Sequence, residues 1–99
     1  MFEKIKELME AKGKAEEMKK RLESISVTGE SYNKEVVVTA SGGRKILAIH
    51  INESILNVRE KHEIEQYILV AVNNALNEAD RLMAEEMKKI MPNIPGLGM

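Results

Sequence analysis

The sequence predicts an α+β protomer of element order α-β-β-β-α, a three-stranded antiparallel sheet joined to two long helices. Three observations carry this reading. Apolar residues recur at intervals of three and four over residues 2–25 and again over about 64–90, β-branched residues punctuated by turn residues fill the interval, and 99 residues suit a single core. One domain over residues 1–90 is therefore expected, followed over 91–99 by a flexible Pro/Gly-containing tail in which Pro92 stops the helix and no periodic pattern remains.

In the first helix Phe2, Ile5, Leu8, Met9, Ala15, Met18, Leu22 and Ile25 form the apolar stripe. Gly13 weakens its middle by about 0.5–1 kcal/mol relative to Ala, and Lys12 stands where the stripe calls for an apolar residue. Glu10/Lys14, Glu16/Lys20 and Glu17/Arg21 are spaced for ion pairs one turn apart, with the acid on the favourable N-terminal side. Strands are expected around 27–31, 35–41 and 44–52, joined by hairpin turns at Tyr32-Asn33-Lys34 and Ser41-Gly42-Gly43, where the paired glycines supply positive φ. In the third strand Leu47, Ile49 and Ile51 make one wholly apolar face, which helices are expected to cover, while Ile46, Ala48 and His50 make a mixed one.

Residues 52–56 read as a helical turn or loop leaving the sheet, and Asn57 with Glu60 resembles a capping box opening the last helix. That helix carries two stripes: Ile64, Ile68, Ala71, Ala75, Ala79 and Leu82, beside Leu69, Val72, Leu76, Met83, Met87 and Ile90. A helix of about 30 residues is about 45 Å long, whereas strands of about seven residues extend about 23 Å. Both helices must overhang the sheet, and an overhanging apolar stripe finds its partner in a homodimer with protruding helical arms.

Composition removes many function classes. The absence of cysteine excludes disulfide scaffolds, thiolate metal sites and cysteine nucleophiles. His50 and His62 lack metal-motif spacing, because His62-Glu63 is not followed by the second histidine of H-E-x-x-H. The carboxylates alternate with lysines at helix-surface spacing, the serines lie in no nucleophile elbow, and Gly42-Gly43 is too short to cradle a phosphate. No enzyme activity, cofactor, metal or small-molecule substrate is expected. No apolar stretch reaches the length of a membrane span, and Met1-Phe2-Glu3-Lys4 does not open like a secretory leader, so the expected location is the cytoplasm and no membrane partner is expected. The seven methionines include Met9, Met18, Met83 and Met87 on or beside the stripes, where they read as core or dimer packing.

Fifteen basic against sixteen acidic residues give net charge −1, so nucleic-acid binding must rest on local charge. Lys12, Lys14, Lys19, Lys20 and Arg21 on the first helix, and Arg81, Lys88 and Lys89 on the last, are the two dense basic clusters and the candidate phosphate contacts. The competing use of the same residues is solubility and intrahelical pairing with Glu16, Glu17, Glu23, Glu85 and Glu86. A dimeric protein-interaction module or adaptor with little DNA binding is the alternative function.

Val27-Thr28-Gly29-Glu30-Ser31, then 36–43 (VVVTASGG) and 49–56 (IHINESIL), resemble the YbaB/EbfC family of bacterial nucleoid-associated proteins. Ala71-Val72-Asn73-Asn74-Ala75 is similar to the family's Ala-rich segment on the last helix, with Asn74 standing where the family has Asp and Asn52-Glu53 where an Asp-Pro pair is common. The resemblance spans nearly the whole chain. It implies a tweezers-like homodimer that binds double-stranded DNA in the nucleoid with low sequence specificity, serving chromosome organisation or gene regulation.

Overall fold

Alternation of buried and half-buried residues along one strand fixes the centre of the molecule. Val36, Val38 and Ala40 project from one face of a strand and are fully buried against Ala71 and Ala75 of a helix. The computed structural model describes residues 2–90 and arranges them as α1 (Phe2–Ser24), β1 (Ser26–Glu30), a 3₁₀ turn (Tyr32–Lys34), β2 (Val36–Ser41), β3 (Ile46–Ile51), α2 (Glu53–Leu56) and α3 (Lys61–Ile90). The sheet is an antiparallel meander of order β1-β2-β3. The tail expected over 91–99 lies outside the described residues.

Small residues let α3 descend onto the sheet. Ala71, Ala75 and Ala79 have no exposed surface, and at Gly29 the contact is backbone on backbone. A Cβ there would stand 2.1 Å from Ala75 N and 2.4 Å from Ala71 O. α3 is thereby centred over β1 and β2, and a helix about 10 Å wide covers about two strands spaced about 4.8 Å apart. The third strand stays open, contrary to the sequence expectation that helices cover its apolar face: Leu47 and Ile49 are 50% and 49% exposed. A β-bulge opposite Thr39/Ala40 also shifts the alternation, so Ile46, Ile49 and Ile51 pair with Ala40, Val38 and Val36 on the α3 side.

Hairpin serines rather than glycine torsions close the turns. Buried Ser31 Oγ accepts from Val36 N (2.9 Å), and Ser41 Oγ accepts from Lys45 N (3.2 Å). That second turn delays β3 until Ile46. Its left-handed residue is Arg44 (φ 69°), not Gly42 or Gly43, and Arg44 reaches α3 to pair with Asp80. Gly42 is required for space instead, since a Cβ would lie 2.7 Å from Leu22 O and 2.9 Å from Leu82 Cδ2.

The expected capping box also resolves differently. Asn52 caps α2 by accepting from Ser54 N (3.0 Å), Asn57 ends that short helix, and α3 begins at Lys61. The interruption lets Ile55 turn inward, where it is 1% exposed within the core. Burying that side chain contributes about 1.5–3 kcal/mol, enough to set where the chain must break.

Gly29→Ala forces the α3 backbone off β1. We expect a loss of at least about 2 kcal/mol in urea unfolding, the upper range for overpacking, because the obstruction is backbone that no rotamer change can move.

Candidate nucleic-acid interface

α1 projects from the sheet as an arm. Every residue from Glu3 to Glu17 is exposed, and Ile5, Leu8 and Met9 are 56%, 70% and 70% exposed despite their apolar side chains. The described residues extend 66 Å along the long axis and only 25 and 17 Å across. With α1 about 34 Å and α3 about 45 Å long at 1.5 Å per residue, the two helices overlap only at their ends.

That overlap is held by packing and charge. Leu22 is the buried apolar anchor of α1, 3% exposed, and with Leu82 it abuts Gly42. Beside it the carboxylate of Glu86, also 3% exposed, lies 3.0 Å from Arg21 Nε and 3.3 Å from Lys89 Nζ. The Arg21 contact is a close ion pair without hydrogen-bond alignment, so Glu86 Oε2 has no hydrogen-bond donor among the described residues. Two cations thus compensate one buried acid.

The candidate phosphate contacts divide accordingly. Lys12, Lys14, Lys19, Lys20 and Lys88 are exposed and take part in none of the ion pairs among the described residues. Arg21 and Lys89 share Glu86, and Arg81 donates to Glu78 at 2.6 Å. This hydrogen bond, then the charges of Glu78 and Glu85, raise the Arg81 pKa above its usual value. The one-turn pairs expected at Glu10/Lys14, Glu16/Lys20 and Glu17/Arg21 do not close, because exposed lysines are solvated more favourably than held and Arg21 turns to Glu86.

At about 100° per residue, Lys12 and Lys19 fall on one flank of α1 and Lys14 and Arg21 on the other, with Lys20 between them on the outward side. The unpaired lysines therefore surround the arm rather than lining one stripe, interleaved with the exposed Glu10, Glu16 and Glu17. On the β1 side of α3 the charge is opposite: Thr28, Glu30, Asn74, Asn77 and Glu78 line a polar depression, and Asn74 Nδ2 donates to Glu30 O (2.8 Å). The depression, with two carboxylates and no cation in its lining, does not suit a phosphate backbone, whereas the unpaired lysines of the arm have the chemistry to meet one.

Glu86 was hidden from sequence reasoning by its company, since it reads as one more surface acid among Glu85, Lys88 and Lys89. Its signal was position: it follows Ala75, Ala79 and Leu82 on the buried stripe.

A second exposed feature is apolar. Leu69, Val72 and Leu76 stand on the flank of α3 turned away from Asn74, and beside them the part of β3 that α3 leaves uncovered presents Ile49 and half-buried Ile51. Leu69 is 52% exposed, which marks the trough as open.

Residues 1–94 match the YbaB/EbfC DNA-binding family. Among relatives, a nucleoid-associated protein of Pelodictyon phaeoclathratiforme is 36% identical over 86 residues, covering 87% of this chain and 76% of the relative. A nucleoid-associated protein of Caldanaerobacter subterraneus subsp. tengcongensis is 33% identical over 95 residues, covering 94% of this chain and 86% of the relative. The crystal structure of an uncharacterized protein from Helicobacter pylori superposes with a TM-score of 0.66 at 20% identity, covering 87% of this chain and 95% of that one, and establishes likeness of fold. No helix among the described residues is long and apolar enough to cross a membrane.

The buried acid makes an asymmetric prediction. Replacing Arg21 and Lys89 together by Ala strands Glu86 without compensation and should cost about 2–3 kcal/mol in urea unfolding, a buried-pair loss discounted for the exposure of both cations. Glu86→Met removes the acid while keeping its bulk and should stay within about 1 kcal/mol of the parent.

Proposed function

This chain belongs to the YbaB/EbfC DNA-binding family, and from that premise we propose that it is a non-catalytic nucleoid protein that binds double-stranded DNA as a homodimer with low sequence specificity. One observation carries the reading: an exposed helical arm bears Lys12, Lys14, Lys19 and Lys20 with no carboxylate engaged. Ammonium groups held on a solvated helix neutralise phosphates without addressing base edges, which gives affinity through counterion release and little sequence readout. Lys88 extends the same charge from α3. Arg21, Arg81 and Lys89 join only by exchanging a carboxylate for a phosphate, and so contribute less.

The open trough supports the homodimer. A second copy that lays its own α3 flank and β3 against Ile49, Leu69 and Val72 buries apolar surface in a closed two-fold arrangement and leaves both α1 arms projecting. Two arms on one body track a duplex longer than either could alone, which suits chromosome organisation or the regulation of genes within a nucleoid.

Anisotropy of a labelled random-sequence duplex, titrated at several salt concentrations, tests the reading. We expect saturable binding whose log–log salt slope is about −0.9 per phosphate contacted. Changing Lys12, Lys19 and Lys20 to Glu should weaken binding at least about tenfold and flatten the slope by about one unit per lysine, with thermal unfolding unchanged because none is buried or paired. A folded protein that binds no duplex at low salt contradicts the assignment.

Light scattering tests the assembly. Ile49→Asp combined with Leu69→Asp places charges in the trough and should convert the dimer to a monomer; a dimer that persists through both substitutions is built elsewhere.

A further inference from the structure

The arm has a pattern that phosphate binding leaves unexplained. From Leu8 to Leu22, Leu8, Ala11, Ala15, Met18 and Leu22 recur at alternating spacings of three and four, and the one other apolar residue of this stretch, Met9, stands beside Leu8 off that row. This is the a/d seam of a coiled coil, with Leu8, Ala15 and Leu22 at a and Ala11 and Met18 at d. Both e positions are then Lys12 and Lys19, and both g positions are Lys14 and Arg21. Gly13 falls at f, farthest from the seam, where a Cβ would meet nothing within 4 Å.

Among the described residues this seam is covered only at its C-terminal end, where Leu22 is buried and Met18 half-buried. There α3 brings Leu82 beside Leu22 and sets Glu86 against Arg21 at 3.0 Å, so the molecule already shows what the seam accepts: apolar residues at the centre and an acid opposite the flanking cation. Toward the N-terminus Leu8, Ala11 and Ala15 remain exposed between unpaired lysines.

We propose that the free part of α1 docks an amphipathic helix of a partner protein whose own a/d residues are apolar and whose e/g residues are Glu or Asp. Charge decides the occupant. A second α1 is disfavoured in either direction, because parallel pairing opposes g with e and antiparallel pairing opposes g with g and e with e, and every such position from residue 12 to 21 is basic. An acid-flanked helix turns each of those repulsions into an ion pair. Ala11 and Ala15 admit it closely, at the short end of the usual 8–10 Å interaxial range. The docking goes beyond the DNA reading and stands without it. Where both hold, the partner helix occupies lysines that phosphates would take, so the two ligands exclude each other on one arm.

The test uses the full chain and a fluorescent synthetic helix about three heptads long, with Leu at a and d and Glu at e and g, followed by anisotropy. The expected result is saturable binding of one peptide per protomer, against none for a peptide with Lys at e and g. Leu8→Asp with Ala15→Asp should weaken binding at least about tenfold, through the burial of unpaired charge in the seam, while Gly13→Ala leaves it intact or tighter. Changing Lys12, Lys14 and Lys19 to Glu should transfer the preference to the Lys-flanked peptide. Absence of binding at low salt overturns the proposal. So does binding indifferent to the two Asp substitutions, which would be charge attraction without docking. Assembly beyond a dimer that disappears in Leu8→Asp also overturns it, because it gives the seam to a second copy.

Discussion

The contact on which the rest of the structure depends is the seat of α3 on β1 at Gly29. Backbone meets backbone there, with no room for a single methyl group. Because α3 sits so low, the valines of β2 are sealed by alanines instead of larger side chains, and the core is thin but closed. Because α3 sits over β1 and β2, β3 is left with its apolar face half in water. Both the stability of the protomer and its unfinished surface therefore have one geometric origin.

Much of this was legible in the sequence. The element order, the meander and the overhang of the helices follow from periodicity and length, since three- and four-residue spacing and alternation are imposed by the backbone itself. The turns were less legible. Gly42-Gly43 looks like a source of positive φ, yet Arg44 takes that conformation while Gly42 serves a close approach between α1 and α3, a contact between elements distant in sequence. Asn57 and Glu60 have the spacing of a helix start, and only the demand of the core for Ile55 shows that a separate short helix comes first. The bulge opposite Thr39/Ala40, which reassigns Ile46 to the inner face, leaves no mark in one strand read alone.

The candidate interface was legible as composition but not as partition. Sequence identifies which residues are basic; it does not say which are already engaged. Arg21 and Lys20 are neighbours in the chain with opposite circumstances, one drawn against a buried carboxylate and the other held in water. The decisive residue is Glu86, whose acidity is ordinary and whose burial is not. A net charge near zero thus conceals an uneven pairing, with Glu78 and Glu86 of α3 engaging nearby cations while the acids and lysines of α1 stand unpaired side by side.

The junction of α1 with the sheet has a mechanical consequence. Leu22 rests against Gly42 as the last buried point of a stiff helix, and from there to Glu3 the chain runs about 28 Å through solvent at 1.5 Å per residue. This is a lever with a short, packed fulcrum. A rotation of about 10° at Gly42, a shift of tenths of an ångström in side-chain packing, moves the far end of the arm by about 5 Å, about the distance between neighbouring strands of a sheet. The direction in which the arm points is therefore set where a glycine meets a leucine carbonyl.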